Sequence, residues 1–200
     1  MALTTVKTSA LSGNINLTSQ VTGALPVANG GTALTSGFVN GGGITEADQW
    51  RITSDLSVGA STVITANWER NDSNFDKIGT GMSQTSGEFS FPSTGVWQIT
   101  ANSSWRAAGS DETYLGIIIQ LSTNSGGAYG DNSRNFTFLY NGLSGSAEHS
   151  SQMTQTIIDV TDASTFRVKF EGQASNGTCD LLGNSGTSES TFTFLRLGDT

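Results

Sequence analysis

Apolar and polar residues alternate over much of residues 46–200 with the period of two that is typical of β-strands. The clearest case is segment 166–171, where Phe166, Val168 and Phe170 alternate with charged residues. Because successive side chains of a strand point to opposite faces, we expect one face of this segment in a core and the other in water. The pattern predicts a half-buried strand.

Two longer segments carry different patterns. In 95–105, residues such as Trp97 and Ile99 alternate with polar but uncharged residues such as Gln98 and Thr100. The polar face of this strand is suited to a subunit interface, with open solvent as the alternative. Segment 114–121 is almost entirely apolar, which predicts a strand buried on both faces or near the centre of a sheet.

Further strands are predicted between clusters of Gly, Asn and Ser that are typical of turns. These strands are 49–53, 62–68, 88–91, 135–140, 153–160 and 191–197. About nine strands without a helical segment predict an all-β fold, and a double-sheet jelly roll fits that number. An immunoglobulin-like sandwich is the alternative, but the Cys…Trp…Cys pattern of its disulfide-bearing form is absent.

The first 45 residues differ from the rest in charge. They contain one charged residue, Lys7, out of the 26 in the chain. This step predicts an extended, β-rich arm over 1–45 and a knob over 46–200, with a glycine hinge at 41–43. Isolated aliphatic residues of the arm cannot form a core alone and need a partner surface. The docking candidates among them are Leu3, Val6, Leu25 and Val27.

The composition excludes several classes of partner. Charged residues make up 13% of the chain, whereas Ser and Thr number 27 each and Gly 25. Formal net charge is -8, which disfavours nucleic acid and anionic membrane surfaces. We expect no signal peptide, because the opening residues MALTTVK contain no apolar central region. We expect no membrane insertion, because no apolar stretch approaches the length of a membrane span. A surface poor in charge is typical of a protein that meets other protein.

The residues needed for catalysis are scarce. His149 is the single histidine, and it lies beside Glu148 in a Ser-rich stretch that predicts a solvated loop. Cys179 is the single cysteine and is expected to be a buried, inert thiol. Asp111 and Glu112 are adjacent and would point to opposite faces of a strand, so they are not a glycosidase pair. The sequence therefore predicts a protein that is not an enzyme and carries no cofactor.

Two binding sites stay open as alternatives. Asp72, Asn74 and Asp76 have the spacing that begins a calcium loop, but Lys77 stands where the turn needs Gly and Ser83 where a bidentate Glu belongs. A turn whose side chains cap backbone amides is the alternative. A sugar-binding surface is also open, with Tyr129, Tyr140 and Trp105 as aromatic candidates that equally suit ordinary packing.

Three stretches of the knob resemble a known family. Segment 67–76 reads NWERNDSNFD, 86–99 reads SGEFSFPSTGVWQI, and 190–197 reads STFTFLRL. In order and spacing they resemble the jelly roll shared by tumour necrosis factor (TNF) and the globular heads of complement component one-q. The resemblance implies a ten-strand sandwich and a threefold-symmetric homotrimer with aromatic and aliphatic side chains about its axis. Candidates for the trimer interface, or equally for the core, are Trp50, Trp97, Trp105 and Phe194.

A second resemblance lies in the arm. Segment 23–32 reads GALPVANGGT and resembles a segment common in tail-fibre proteins of tailed phages, although Ala33 stands where fibres often continue with Gly. The collagen-type stalk of complement-like proteins is absent. This resemblance implies a virion protein made in the cytoplasm of a bacterial host.

The two resemblances together predict a homotrimeric structural protein of a tailed-phage virion. Its arm would attach to a capsid, baseplate or tail protein and wind with its copies. The knob would project as a short fibre or spike that adheres to a host surface glycan or protein. A capsid decoration or head-fibre protein that stabilises the shell is the alternative, and a polysaccharide depolymerase is a third, less favoured one.

Overall fold

The computed structural model describes residues 43–72, 75–107, 111–140, 148–175 and 179–200. The secondary structure of these residues consists of fourteen β-strands without a helix, and no membrane-spanning helix is found among them. The strands are β1 (Ala47–Ile52), β2 (Ser54–Val58), β3 (Thr62–Val63), β4 (Trp68–Arg70), β5 (Lys77–Ile78), β6 (Ser83–Thr85), β7 (Glu88–Ser90), β8 (Gly95–Ala107), β9 (Glu112–Ser122), β10 (Gly130–Leu139), β11 (His149–Val160), β12 (Arg167–Ala174), β13 (Cys179–Asn184) and β14 (Thr191–Gly198). The predicted all-β class is confirmed.

The strands form two antiparallel sheets. Sheet A contains β1, β2, β4, β5, β8, β11, β13 and β14, whereas sheet B contains β3, β6, β7, β9, β10 and β12. In sheet A, β8 pairs with β11 along one side, and with β14 and β13 on the other. In sheet B, β9 lies between β10 and β12. The long central strands β8 and β9 therefore position the outward-facing side chains of both sheets.

Aromatic rings from the inward faces fill the space between the sheets. Phe170 of sheet B lies 4.5 Å from Phe192 of sheet A between ring centroids, and Phe89 lies 5.1 Å from Phe194. All four side chains are fully buried. On each strand the inward-facing residues occupy every second position, so the period-two pattern of the sequence places these rings on the core side. Such burial contributes about 1.5–3 kcal/mol for each large side chain.

Side chains of β10 tie the edges of the two sheets together. Ser133 Oγ donates to the backbone oxygen of Gln155, and Asn135 Nδ2 donates to that of Met153. Thr137 Oγ1 lies 3.1 Å from Ser150 Oγ. These bonds satisfy acceptors along the edge strand β11, which would otherwise be open to pairing with another chain.

Several predicted elements need correction. The predicted strand 62–68 is wrong, because the chain leaves sheet B after β3 and enters sheet A at β4. The short strands β2, β5, β6 and β13 were not predicted. Glu171 was expected in water but is 7% exposed, and its carboxylate accepts hydrogen bonds from Ser61 and Gln120. His149 was expected in a loop, whereas it begins β11.

Candidate interaction surfaces

The structure places the four aromatic interface candidates inside the sandwich. Trp105 and Phe194 have no exposed surface, Trp97 has 1% and Trp50 has 9%. Trp105 Nε1 donates to Ser103 Oγ over 2.8 Å, which satisfies the buried indole. The sequence left the trimer interface and the core open as locations for these four residues, and the structure places them in the core.

The arm candidates lie outside the described residues. These candidates are Leu3, Val6, Leu25 and Val27. The segment 23–32 that resembles phage tail fibres also lies outside them, as does the predicted hinge at 41 and 42. The virion-docking role of the arm therefore stays a prediction from the sequence.

An uncharged surface covers part of the outward side of sheet A, up to its edge at β11. It is formed by alternate residues of β8, β11 and β14, whose intervening residues point into the core. We call it the uncharged face. Its members are Gln98, Thr100, Asn102, Met153, Gln155, Ile157, Thr191, Thr193 and Leu195.

The uncharged face has features of an interface core. Ile157 is 58% exposed and Met153 is 50% exposed, so apolar side chains of the edge strand β11 meet solvent beside the polar residues of β8. Charged residues lie at its margins, with Asp159 opposite Val96 at one end and His149 opposite Arg106 at the other. Depletion of charge at the centre of a patch is what distinguishes protein interfaces from ordinary surface.

A shallow depression of about 400 Å³ adjoins the uncharged face. It is lined by small residues such as Ser104 and Ser151, with His149 and Glu189 at its border. The hydroxyl of Ser104 donates to the backbone oxygen of Glu189. We assign no chemistry to this depression.

A second surface lies on the outward side of sheet B. Arg134, Phe136 and Phe138 occupy alternate positions of β10, and Tyr140 follows the strand. Tyr114 of β9 contacts Phe136 edge to face, with 5.4 Å between ring centroids. We call these five residues the aromatic strip. Phe138 is 70% exposed, Tyr140 68% and Tyr114 42%.

Gly116 explains how the strip is built. A Cβ atom at this position would lie 2.9 Å from the Phe136 ring and 2.1 Å from the backbone oxygen of Asn135. The ring therefore lies directly over the glycine, which an aromatic neighbour stabilises in a strand. The guanidinium of Arg134 lies 5.9 Å from the same ring, within the range of a cation–π contact.

The sugar-binding candidates of the sequence fall in different places. Trp105 is buried in the core and is excluded from any surface. The Tyr129 hydroxyl is bonded to Glu88, and the Lys169 ammonium lies 4.3 Å from its ring. Burial and the Glu88 carboxylate raise the pKa of Tyr129. Tyr140, by contrast, is exposed at the end of the aromatic strip.

The calcium alternative gains no support from the geometry. Asp72 Oδ1 pairs with Arg51 Nη2 at 3.3 Å, and Asp76 interacts electrostatically with Arg70. Asn74 lies outside the described residues. Among the residues that the structure describes, no group of three acidic, His or Cys side chains is arranged to hold a metal ion.

Cys179 lies at the start of β13 with no exposed surface. Burial, together with the negative charges of Glu112 and Asp180, raises the pKa of its thiol to about 12. Because the thiolate is the reactive form, this site suits a packing residue rather than a nucleophile.

Comparison with solved structures identifies the fold. Over 76% of this chain and 98% of the other, it is similar to murine APRIL at pH 5.0, with a TM-score of 0.54 and 10% identity. Murine APRIL at pH 8.0 gives 0.50 and 9% over the same shares. Eiger TNF from S. frugiperda gives 0.45 and 14%, covering 77% of this chain and 93% of that one.

The two APRIL likenesses confirm the TNF-like jelly roll that the sequence predicted, and at this identity they show the fold alone. A comparison with protein-family models found no match. A comparison with curated protein sequences also found none.

Proposed function

We propose that this chain is a non-enzymatic structural protein of a tailed-phage virion, assembled as a homotrimer whose knob adheres to the host surface. The observation that carries the proposal is the uncharged face of sheet A. A sheet surface that exposes Ile157 and Met153 on its edge strand β11 and carries charges only at its margins supports burial against another protein.

A second copy of this chain is the partner that the fold favours. The resemblance to TNF and complement one-q implies a threefold trimer, and the uncharged face supplies the surface for it. In a threefold ring each copy contributes two different patches, so the uncharged face of one copy contacts a different patch on the next copy. Closing the ring would cover Ile157 and Met153 in all three copies, so no uncharged face would stay exposed.

The arm supports the virion setting. Segment 23–32 resembles tail-fibre proteins, and the aliphatic residues of the arm need a partner surface. A trimer that attaches through its arms presents three knobs to the host, and three weak sites gain avidity without new contacts. This role requires no catalytic group, in keeping with the single histidine of the chain.

Native mass spectrometry tests the assembly. We expect the full chain to have the mass of three 20.8 kDa copies at micromolar concentration. Thr100→Glu, at the centre of the uncharged face, should weaken the trimer by about 3–5 kcal/mol because it buries an unpaired charge. Thr85→Glu, an exposed change in β6 of sheet B, is the matched control and should leave the mass unchanged.

Two outcomes contradict the proposal. A wild-type chain that is monomeric with its arm intact removes the trimer. Density for the protein on the capsid lattice of the virion, instead of on the tail, removes the adhesive fibre in favour of shell decoration.

A further inference from the structure

The aromatic strip reverses the usual arrangement of an edge strand. Along β10 the aromatic residues Phe136 and Phe138 face outward, whereas Ser133 and Thr137 face the sandwich and bond to β11. The inward polar residues are explained by their contacts with the edge of sheet A. Those contacts would be equally satisfied with small polar residues on the outward side, so they do not explain Phe138, which is 70% exposed.

Arg134 is the second unusual feature of this surface. Most basic residues of the described chain are paired: Arg51 with Glu69, Arg70 with Asp48, and Arg106 with Asp55 and Asp180. Arg134 is exposed and makes no ion pair with the described residues. An unpaired arginine is unexpected in a chain of net charge -8, and it is complementary to an anionic ligand.

We propose that the aromatic strip binds an acidic saccharide chain, one whose units carry a carboxylate. This inference rests on the adhesive role proposed above and names its ligand class and site. Apolar C–H faces of sugar rings pack on the exposed rings, while Arg134 pairs with the carboxylate. Alternate residues of a strand lie about 6.8 Å apart, so the rings of Phe136 and Phe138 suit an extended ligand rather than a single small molecule.

The position of the strip agrees with this role. It lies on the outward side of sheet B, opposite to the uncharged face of sheet A. A ring whose second contact patch is not the strip leaves the strip accessible, and three copies would then each present one. Thr113 of β9 and Asn132 of β10 are exposed polar residues on the two strands that carry the strip.

Calorimetric titration of the full chain tests the inference, with oligogalacturonate as the acidic probe and maltooligosaccharide as the neutral control. We expect saturable binding of oligogalacturonate that weakens as salt increases, because the Arg134 contact is screened. Phe138→Ala should weaken this binding at least about tenfold. Arg134→Gln should remove the preference for the acidic probe. Ile78→Ala, which alters an exposed apolar residue of β5 in sheet A, should change nothing.

Each contrary result has a distinct meaning. A trimeric protein that binds neither saccharide overturns this inference and leaves the proposed assembly intact. Equal binding of both saccharides, unaffected by Arg134→Gln, overturns the acidic ligand class. If Phe138→Ala dissociates the trimer, the strip is a contact between copies and the inference fails. A monomeric wild-type chain contradicts the proposed function instead, whatever it binds.

Discussion

Asp48 of β1 is a buried carboxylate whose contacts fasten a neighbouring loop. Its side chain is 1% exposed, and both its oxygens accept hydrogen bonds from Arg70, at 2.9 and 3.0 Å. The backbone nitrogen of Met82 donates to the same carboxylate, while Arg70 Nη2 donates to the oxygen of Met82. The guanidinium also lies 4.5 Å from the Trp50 ring. Arg70 therefore joins β1, β4 and the segment after β5.

Removal of Arg70 is expected to be costly for this reason. Arg70→Ala leaves the Asp48 carboxylate buried without its cation, which should lower the free energy of unfolding by about 3–5 kcal/mol. Arg106→Ala is the control, since Arg106 pairs with Asp55 at a site where both side chains are more than a third exposed. That loss should be about 0–1 kcal/mol. Urea denaturation of both variants measures the difference, and equal losses would contradict it.

At the scale of elements, the hairpin between β6 and β7 depends on two residues with positive φ. Thr85 pairs with Glu88, and the two residues between them, Ser86 and Gly87, have φ values of 49° and 80°. This is the geometry of a type I′ turn, which matches the twist of the flanking strands. A Cβ at Gly87 would lie 2.0 Å from the backbone oxygen of Ile64, so the turn also packs closely against the chain after β3.

Gly87→Ala should therefore lower the free energy of unfolding by at least about 2 kcal/mol, through left-handed strain together with the clash. Gly130→Ala is the matched control, because its Cβ would meet nothing within 4 Å and its φ is not positive. That change should stay within about 0.5 kcal/mol. Thermal unfolding compares the two, and a Gly87→Ala variant as stable as the wild type would show that the hairpin is arranged differently.

Sequence patterning identified the strands that have a clear core face and missed those that lack one. Strand β8 was predictable because Trp97 and Ile99 alternate with polar residues, whereas β13 begins with Cys179 and ends among turn residues. The error at 62–68 has a specific cause. Asn67 adopts φ 63° where the chain crosses from one sheet to the other, and asparagine tolerates that conformation without altering the apolar pattern.

The aromatic strip shows how far the sequence pattern alone can predict a functional surface. Alternation at Phe136 and Phe138 is visible in the sequence, and by itself it would assign these rings to the core. Only the register with β9 and the bonds from Ser133 to β11 reveal that the polar side faces inward. The uncharged face was easier to identify, because Gln98 and Thr100 alternate along β8 with Trp97 and Ile99, whose burial was evident.

At the scale of the whole molecule, the described core lies within the knob. Among the residues that the structure describes, every buried side chain of the hydrophobic cluster lies between Trp50 and Phe194, within the unit Ile44–Thr200. A shortened chain that begins at Gly43 should therefore unfold cooperatively. Before unfolding, it should show the fluorescence of buried tryptophan. The proposed trimer of this shortened chain should dissociate at a concentration at least about tenfold higher than that of the full chain, because the proposed winding of three arms would add a second, tethered contact.

Analytical ultracentrifugation of the full and shortened chains over a dilution series measures this difference. The Thr100→Glu substitution in the shortened chain is the control, since it should abolish the trimer that the knob alone retains. Identical dissociation of the two chains would mean that the arm serves only to attach the protein to the virion and does not wind with its copies. A shortened chain that lacks a cooperative transition would mean that the knob needs the arm to fold, which would contradict the boundary predicted at residue 45 from the step in charge.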